Sequence, residues 1–185
     1  MATTNLIVDF LVIGVTSFVW IAPVMFFFQG EKWLSIFSNS SLVLGFIVLG
    51  FVYILGISMS RLADDILDRF NDHWRDDVFG KNAKPNYHNR LNLIIAKSVS
   101  GADYLSYRRS IIRITRACSL NFLLGAVAWI LAELFKPVEL PKGVAILLSV
   151  FSIAISLLLI RALPIVLKGY FSTIKDIYEY LKKEK

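Results

Sequence analysis

The chain has 185 residues, of which 56% are hydrophobic and 14% aromatic, with a net charge of +6 and a mean hydropathy of +0.63. That hydropathy is too high for a soluble domain, and the 18% of charged residues fits only because they are segregated from the apolar runs, as in a protein with one membrane domain and little more. The single cysteine, Cys118, lies in an apolar stretch; it excludes an intrachain disulfide and a cysteine-built zinc site, and reads as a small buried hydrophobe.

The first apolar run extends over 6–28, interrupted only by Asp9 and expected to kink at Pro23. It is too long for a signal-peptide core, and no Lys or Arg precedes it, so it reads as a retained span. A second run, 41–60, carries no charge and has the length that crosses a hydrocarbon core of about 30 Å. Its continuation from Arg61 to Asp77 has no Gly or Pro, which predicts one long helix leaving the membrane. Residues 80–89 (GKNAKPNYHN) are rich in loop formers, a short apolar helix is expected near Leu91–Ala96, and Asp103–Arg116 reads as a helix running into a third span, 117–135. A fourth span follows over 143–167. Beyond it, Phe171, Ile174, Tyr178 and Leu181 mark one face of an amphipathic helix over 168–185, suited either to the headgroup layer or to packing on the extramembrane segment.

These elements predict an all-α integral membrane protein whose four transmembrane helices form two hairpins, with a helical hairpin over 61–116 between spans 2 and 3. Of the 20 basic residues, 11 lie in Arg61–Arg116 and 6 from Arg161 onward. The positive-inside rule therefore assigns that segment and both termini to the cytoplasmic side of a cell membrane.

Besides the amphipathic C-terminal helix, three constellations stand out. Asp64 and Asp68 belong to an aspartate stripe leaving span 2, and Arg109, Arg113 and Arg116, with Arg108 beside them, recur at helical spacing before span 3. Antiparallel extensions would bring the two sets together as interhelical salt bridges. Alternatively the arginines bind an anionic partner, a lipid headgroup, a nucleotide second messenger or a nucleic acid, and the Arg61–Arg116 segment could also meet a cytosolic protein. Small residues, Gly45 and Gly56 on span 2 and Gly125 and Ala128 on span 3, allow close helix packing within a protomer or between protomers of a homo-oligomer. Asn121, on the same face of span 3, is expected to hydrogen-bond across a helix interface. Asp9 and Thr16 on span 1 and Ser149, Ser152 and Ser156 on span 4 form polar stripes. The serines would bond their own preceding carbonyls, or the stripes would line a pore, and Asp9 would snorkel outward or act in that pore.

No P-loop, H-E-x-x-H, G-x-S-x-G or C-x-x-C motif is present, and His73 and His88 have no partner at ligand spacing. Neither an enzyme, a metal nor a cofactor is expected. R-L-A-D-D (Arg61–Asp65) leaving one span and D-Y-L-S-Y-R-R-S-I-I-R-I-T-R-A (Asp103–Ala117) entering the next resemble small multispan accessory proteins of bacterial phage-defence operons, those accompanying type VI-B CRISPR loci and RADAR-type systems. The resemblance implies a defence partner encoded nearby and membrane permeabilisation or anchoring as output. Two functions follow as expectations: an oligomeric channel-like effector gated through the basic hairpin, or a non-conducting scaffold that recruits a cytosolic partner to the membrane.

Overall fold

In lipid every backbone N–H and C=O must find its partner within the segment, so long apolar runs can cross only as helices or as a closed barrel. The computed structural model describes residues 2–30, 42–67, 71–80, 83–135 and 143–183, and all regular structure among them is helical. The elements are α1 (Ala2–Thr16), α2 (Phe18–Gln29), α3 (Leu42–Leu67), α4 (Asn71–Phe79), α5 (Ala83–Lys97), α6 (Val99–Phe135) and α7 (Val144–Lys183). Among the described residues, four stretches are long and apolar enough to cross a membrane: α1 and α2 together, α3, α6 and α7. Lys32, Asp68 and the 136–142 connection lie outside the described residues.

The helix α6 is the axis of the bundle, packing against α1, α2, α3 and α7, while α1 pairs with α3 and α6 with α7 as two hairpins. With 37 and 40 residues, α6 and α7 extend roughly 55–60 Å at about 1.5 Å per residue, twice the thickness of a hydrocarbon core. About half of each therefore projects beyond the spans as an overhang. There α4 and α5 pack onto the end of α7, around a core of Leu91, Ile94, Leu105, Leu167, Phe171 and Ile174. Of the two expectations for the C-terminal helix, packing holds: Phe171 and Ile174 are buried in this core and Tyr178 and Leu181 pack on its edge.

Three local expectations are corrected. The first span breaks at Ser17, with Pro23 accommodated inside α2. At that break the Ile13 carbonyl accepts from the Ser17 N–H (3.2 Å), the Thr16 hydroxyl (2.7 Å), the Ser17 hydroxyl (3.2 Å) and the Asn121 amide (3.0 Å). Competition for one acceptor loosens the regular ladder where it occurs. Arg61–Asp77 does not run along α6 throughout: α3, described as far as Leu67, packs on α6, whereas α4 packs on α7 and α5. Finally, the loop-forming 80–89 stretch contributes most of its residues to α5, because Pro85 falls in that helix's first turn, where its missing N–H costs nothing.

Close approach between spans is set by glycine. A Cβ at Gly14 would overlap the Val52 carbonyl, and one at Gly56 would overlap the Phe10 carbonyl, so α1 and α3 cross backbone to backbone. Gly125 does the same for α2, with Val19 lying against it. Pro23 deprives the Val19 carbonyl of its usual N–H partner four residues on, and that carbonyl is one of the groups facing Gly125. These small residues are used inside one protomer. Gly45, by contrast, has nothing near its Cβ position, and the partly buried Ala128 lines an apolar groove between α2 and α6.

Candidate functional site

Polar side chains on the spans turn inward and bond one another. Asn121 is fully buried, and its amide uses every bonding position it has. Its nitrogen donates to the Ile13 carbonyl (3.0 Å) and Thr16 Oγ1 (2.8 Å), while its oxygen accepts from Ser17 Oγ (3.2 Å) and Trp20 Nε1 (3.1 Å). Cys118, also buried, lies 3.6 Å from Thr16 Oγ1.

The span 4 serines face α6 instead of closing on their own helix. Ser149 donates to the Ala126 carbonyl (3.0 Å) and Ser156 to the Ser119 carbonyl (2.9 Å), with Ser152 buried between them. For Ser149 and Ser156 the expected bond to their own helix is corrected: the small Ser side chains let α6 and α7 approach, and the two hydroxyls reach carbonyls of the neighbouring helix. All three serines are buried within the protomer. Thr16 is likewise spent on Ile13 and Asn121.

Asp9 does not snorkel. It is 4% exposed, accepting from Arg113 Nη1 at 2.8 Å and from Ser110 Oγ at 2.6 Å. A carboxylate one turn inside an apolar run is tolerated because α6 delivers a cation and a hydroxyl to it. This pairing also places the N-terminal end of α1 beside the overhang, on the same side as the C-terminal end of α7. The sequence signals Asp9 and Arg113 separately, but 104 residues divide them and no local periodicity links them.

Among the described residues, the expected aspartate–arginine ladder has a rung from Arg116 to Asp64 at 3.0 Å, and the Asp68 rung lies outside them. Arg113 goes to Asp9. Arg108 turns away from the others, donating to the Tyr104 hydroxyl through Nε (3.1 Å) and Nη2 (2.9 Å). Further out, Asp77 pairs with Lys168 at 3.0 Å on α7, where α4 packs.

Arg109, Arg113 and Arg116 share one face of α6 and, with Asp64, Tyr87, Leu167, Tyr170 and Phe171, line an open cavity of about 230 Å³. Arg109 Nε donates to the Tyr170 hydroxyl at 2.7 Å, and the hydroxyls of Tyr87 and Tyr170 stand 3.3 Å apart. Burial, reinforced by Tyr87, pushes the Tyr170 hydroxyl above the usual tyrosine range, so it stays protonated and able to donate at neutral pH. Among the described residues no carboxylate lies within ion-pair distance of Arg109, whereas Arg113 and Arg116 each have one. The tyrosines were not singled out from sequence; Tyr170 stands next to the Phe171 face that reads simply as apolar. No grouping of His, Cys, Asp and Glu among the described residues could hold a metal ion.

No protein family, no curated protein and no solved structure matches the chain.

Proposed function

We propose that the protein is a non-conducting membrane scaffold that presents its helical overhang to a partner on the cytoplasmic side. The observation that supports this is the chemistry of the outward surface. Among the described residues of the apolar runs 6–28, 45–60, 117–135 and 143–167, the exposed positions are apolar or glycine except Ser58 and Arg161. Ser58 bonds the Ile54 carbonyl of its own helix, and Arg161 sits in the last turns of span 4 within reach of headgroups. An assembly of such protomers would meet through apolar faces, whereas a conducting lumen needs polar groups or water along its length. The groups that could have supplied them, Asp9, Thr16 and the three serines, are turned inward. Anchoring, one of the two outputs implied by the phage-defence resemblance, is therefore the better supported. Cytoplasmic placement rests on the basic residues concentrated in the overhang.

Reconstitution in planar bilayers tests this reading. Incorporated protein is expected to leave conductance at the level of protein-free membranes, and reproducible unitary currents would overturn it. His88, exposed on α5, gives the orientation check: His88→Cys should be labelled only from the cytoplasmic face.

A further inference from the structure

The arginine cavity has properties that go beyond anchoring. Its depth is set by the chain: Arg116 directly precedes the apolar stretch that begins at Ala117, and Arg109 lies two turns further out. Those seven residues rise roughly 10 Å along α6, comparable to the headgroup layer of one leaflet, roughly 5–8 Å. Its charge is set by the pairing. Asp9 answers Arg113 and Asp64 answers Arg116, while Arg109 has no carboxylate within ion-pair distance among the described residues. Its donors are of the phosphate-binding kind, a planar guanidinium fork with two phenolic hydroxyls beside it. Its size, about 230 Å³, is below the roughly 300–1,000 Å³ of pockets that enclose a whole small molecule. It would hold a charged head while the remainder of the ligand stayed outside.

We propose that this cavity binds the phosphate of an anionic phospholipid headgroup, with Arg109 as the principal ligand and Tyr87 and Tyr170 as hydroxyl donors. Arg113 and Arg116 contribute field from the cavity wall while remaining committed to their aspartates. The assignment does not depend on whether the bundle conducts, so a failure here and a failure of the scaffold reading are separable.

The test is native mass spectrometry of the full chain in neutral detergent, titrated with phosphatidylglycerol or phosphatidylcholine, for the wild type, Arg109→Gln and Arg108→Gln. Arg108 is the matched control, a neighbouring arginine on the same helix that bonds Tyr104 and lies outside the cavity. Wild type should retain phosphatidylglycerol in preference to phosphatidylcholine. Arg109→Gln should weaken that retention roughly tenfold, the scale of one charged hydrogen bond, and Arg108→Gln should leave it unchanged. Arg109→Lys, which keeps the charge without the fork, should fall between wild type and Arg109→Gln, so the reading does not hang on one variant. Equal loss in the Arg109→Gln and Arg108→Gln proteins, or loss in neither, would overturn the site. Displacement of the lipid from wild type by millimolar inorganic phosphate would overturn the lipid as source and make the ligand a soluble phosphate compound.

Discussion

Two positions on α6, Asn121 and Arg109, lie twelve residues apart and are treated in opposite ways. Asn121 has no exposed surface and no bonding position left over; Arg109 has a tyrosine hydroxyl for one nitrogen and, among the described residues, no carboxylate for its charge. The same contrast separates the two halves of the molecule. Within the spans an unpaired polar group would face hydrocarbon, where each one costs several kcal/mol, about as much as a packed helix interface can supply. In the overhang water and headgroups are at hand, so a charge can be left open at small cost and becomes available for binding. The spans thus commit their polar residues to architecture, whereas the overhang can leave a charge open, as the proposed lipid site requires.

The largest effect expected from breaking this arrangement lies where the spans approach most closely. Gly56→Leu places a branched side chain where even a Cβ overlaps the Phe10 carbonyl, while Gly45→Leu, on the same helix, enters open space. Gly56→Leu should cost more than about 3 kcal/mol and yield little folded protein, since rigid backbone cannot repack around it. Gly45→Leu should stay within about 0.5 kcal/mol of wild type. Size-exclusion yield and a thermal melt in detergent decide this. Equal behaviour of the two variants would mean that the α1–α3 crossing does not hold the bundle together.

A second, smaller effect concerns the ion pair that ties the N-terminal span to α6. Asp9→Leu removes the carboxylate from an arginine that keeps only 25% of its side-chain exposure, and should cost about 3 kcal/mol. Arg113→Leu should cost as much, because the buried Asp9 is then left to Ser110 alone. Replacing both by leucine should recover most of the loss, an outcome characteristic of a buried pair whose desolvation offsets its attraction. Denaturant titration of the two single variants and the double variant measures the coupling. Additive losses would show that the two residues act independently.

The spans were legible in sequence because the bilayer imposes length and hydropathy on each segment separately. Asn121 was legible as a bonding residue for the same reason, since an amide in the middle of a span must find a partner. Which partner it finds was not, because Ile13, Thr16, Ser17 and Trp20 come from a segment about a hundred residues away and from a break at Ser17 that Pro23 appeared to pre-empt. The aspartate stripe was legible only in part for a related reason. Asp64 meets Arg116, but α4, which carries Asp72 and Asp76, follows its own apolar contacts onto α7 and α5, and its neighbouring Asp77 meets Lys168 there. Periodicity reports which residues share a face and is silent on which helix that face meets.

The smallest effect, and the one that most sharpens the contrast between spans and overhang, is therefore expected at Asp77 and Lys168. They meet at 3.0 Å, about as closely as Asp9 and Arg113 at 2.8 Å, so bond length alone would rank the two pairs together. Solvent separates them: the side chains of Lys168 and Asp77 are 52% and 44% exposed, against 25% and 6% for Arg113 and Asp9. Water already solvates the outer pair, so a double-mutant cycle with Asp77→Asn and Lys168→Gln should give a coupling of about 0.5 kcal/mol or less. Ionic strength provides an independent check, because the Debye length shrinks from about 10 Å at 0.1 M to about 3 Å at 1 M. Over that range the Asp77–Lys168 coupling should vanish, while the Asp9–Arg113 coupling, shielded by protein from mobile ions, should change little. Persistence of the outer coupling at high salt would mean that α4 is fixed on α7 by its charges as well as by its apolar face. The overhang would then be built on the same principle as the spans.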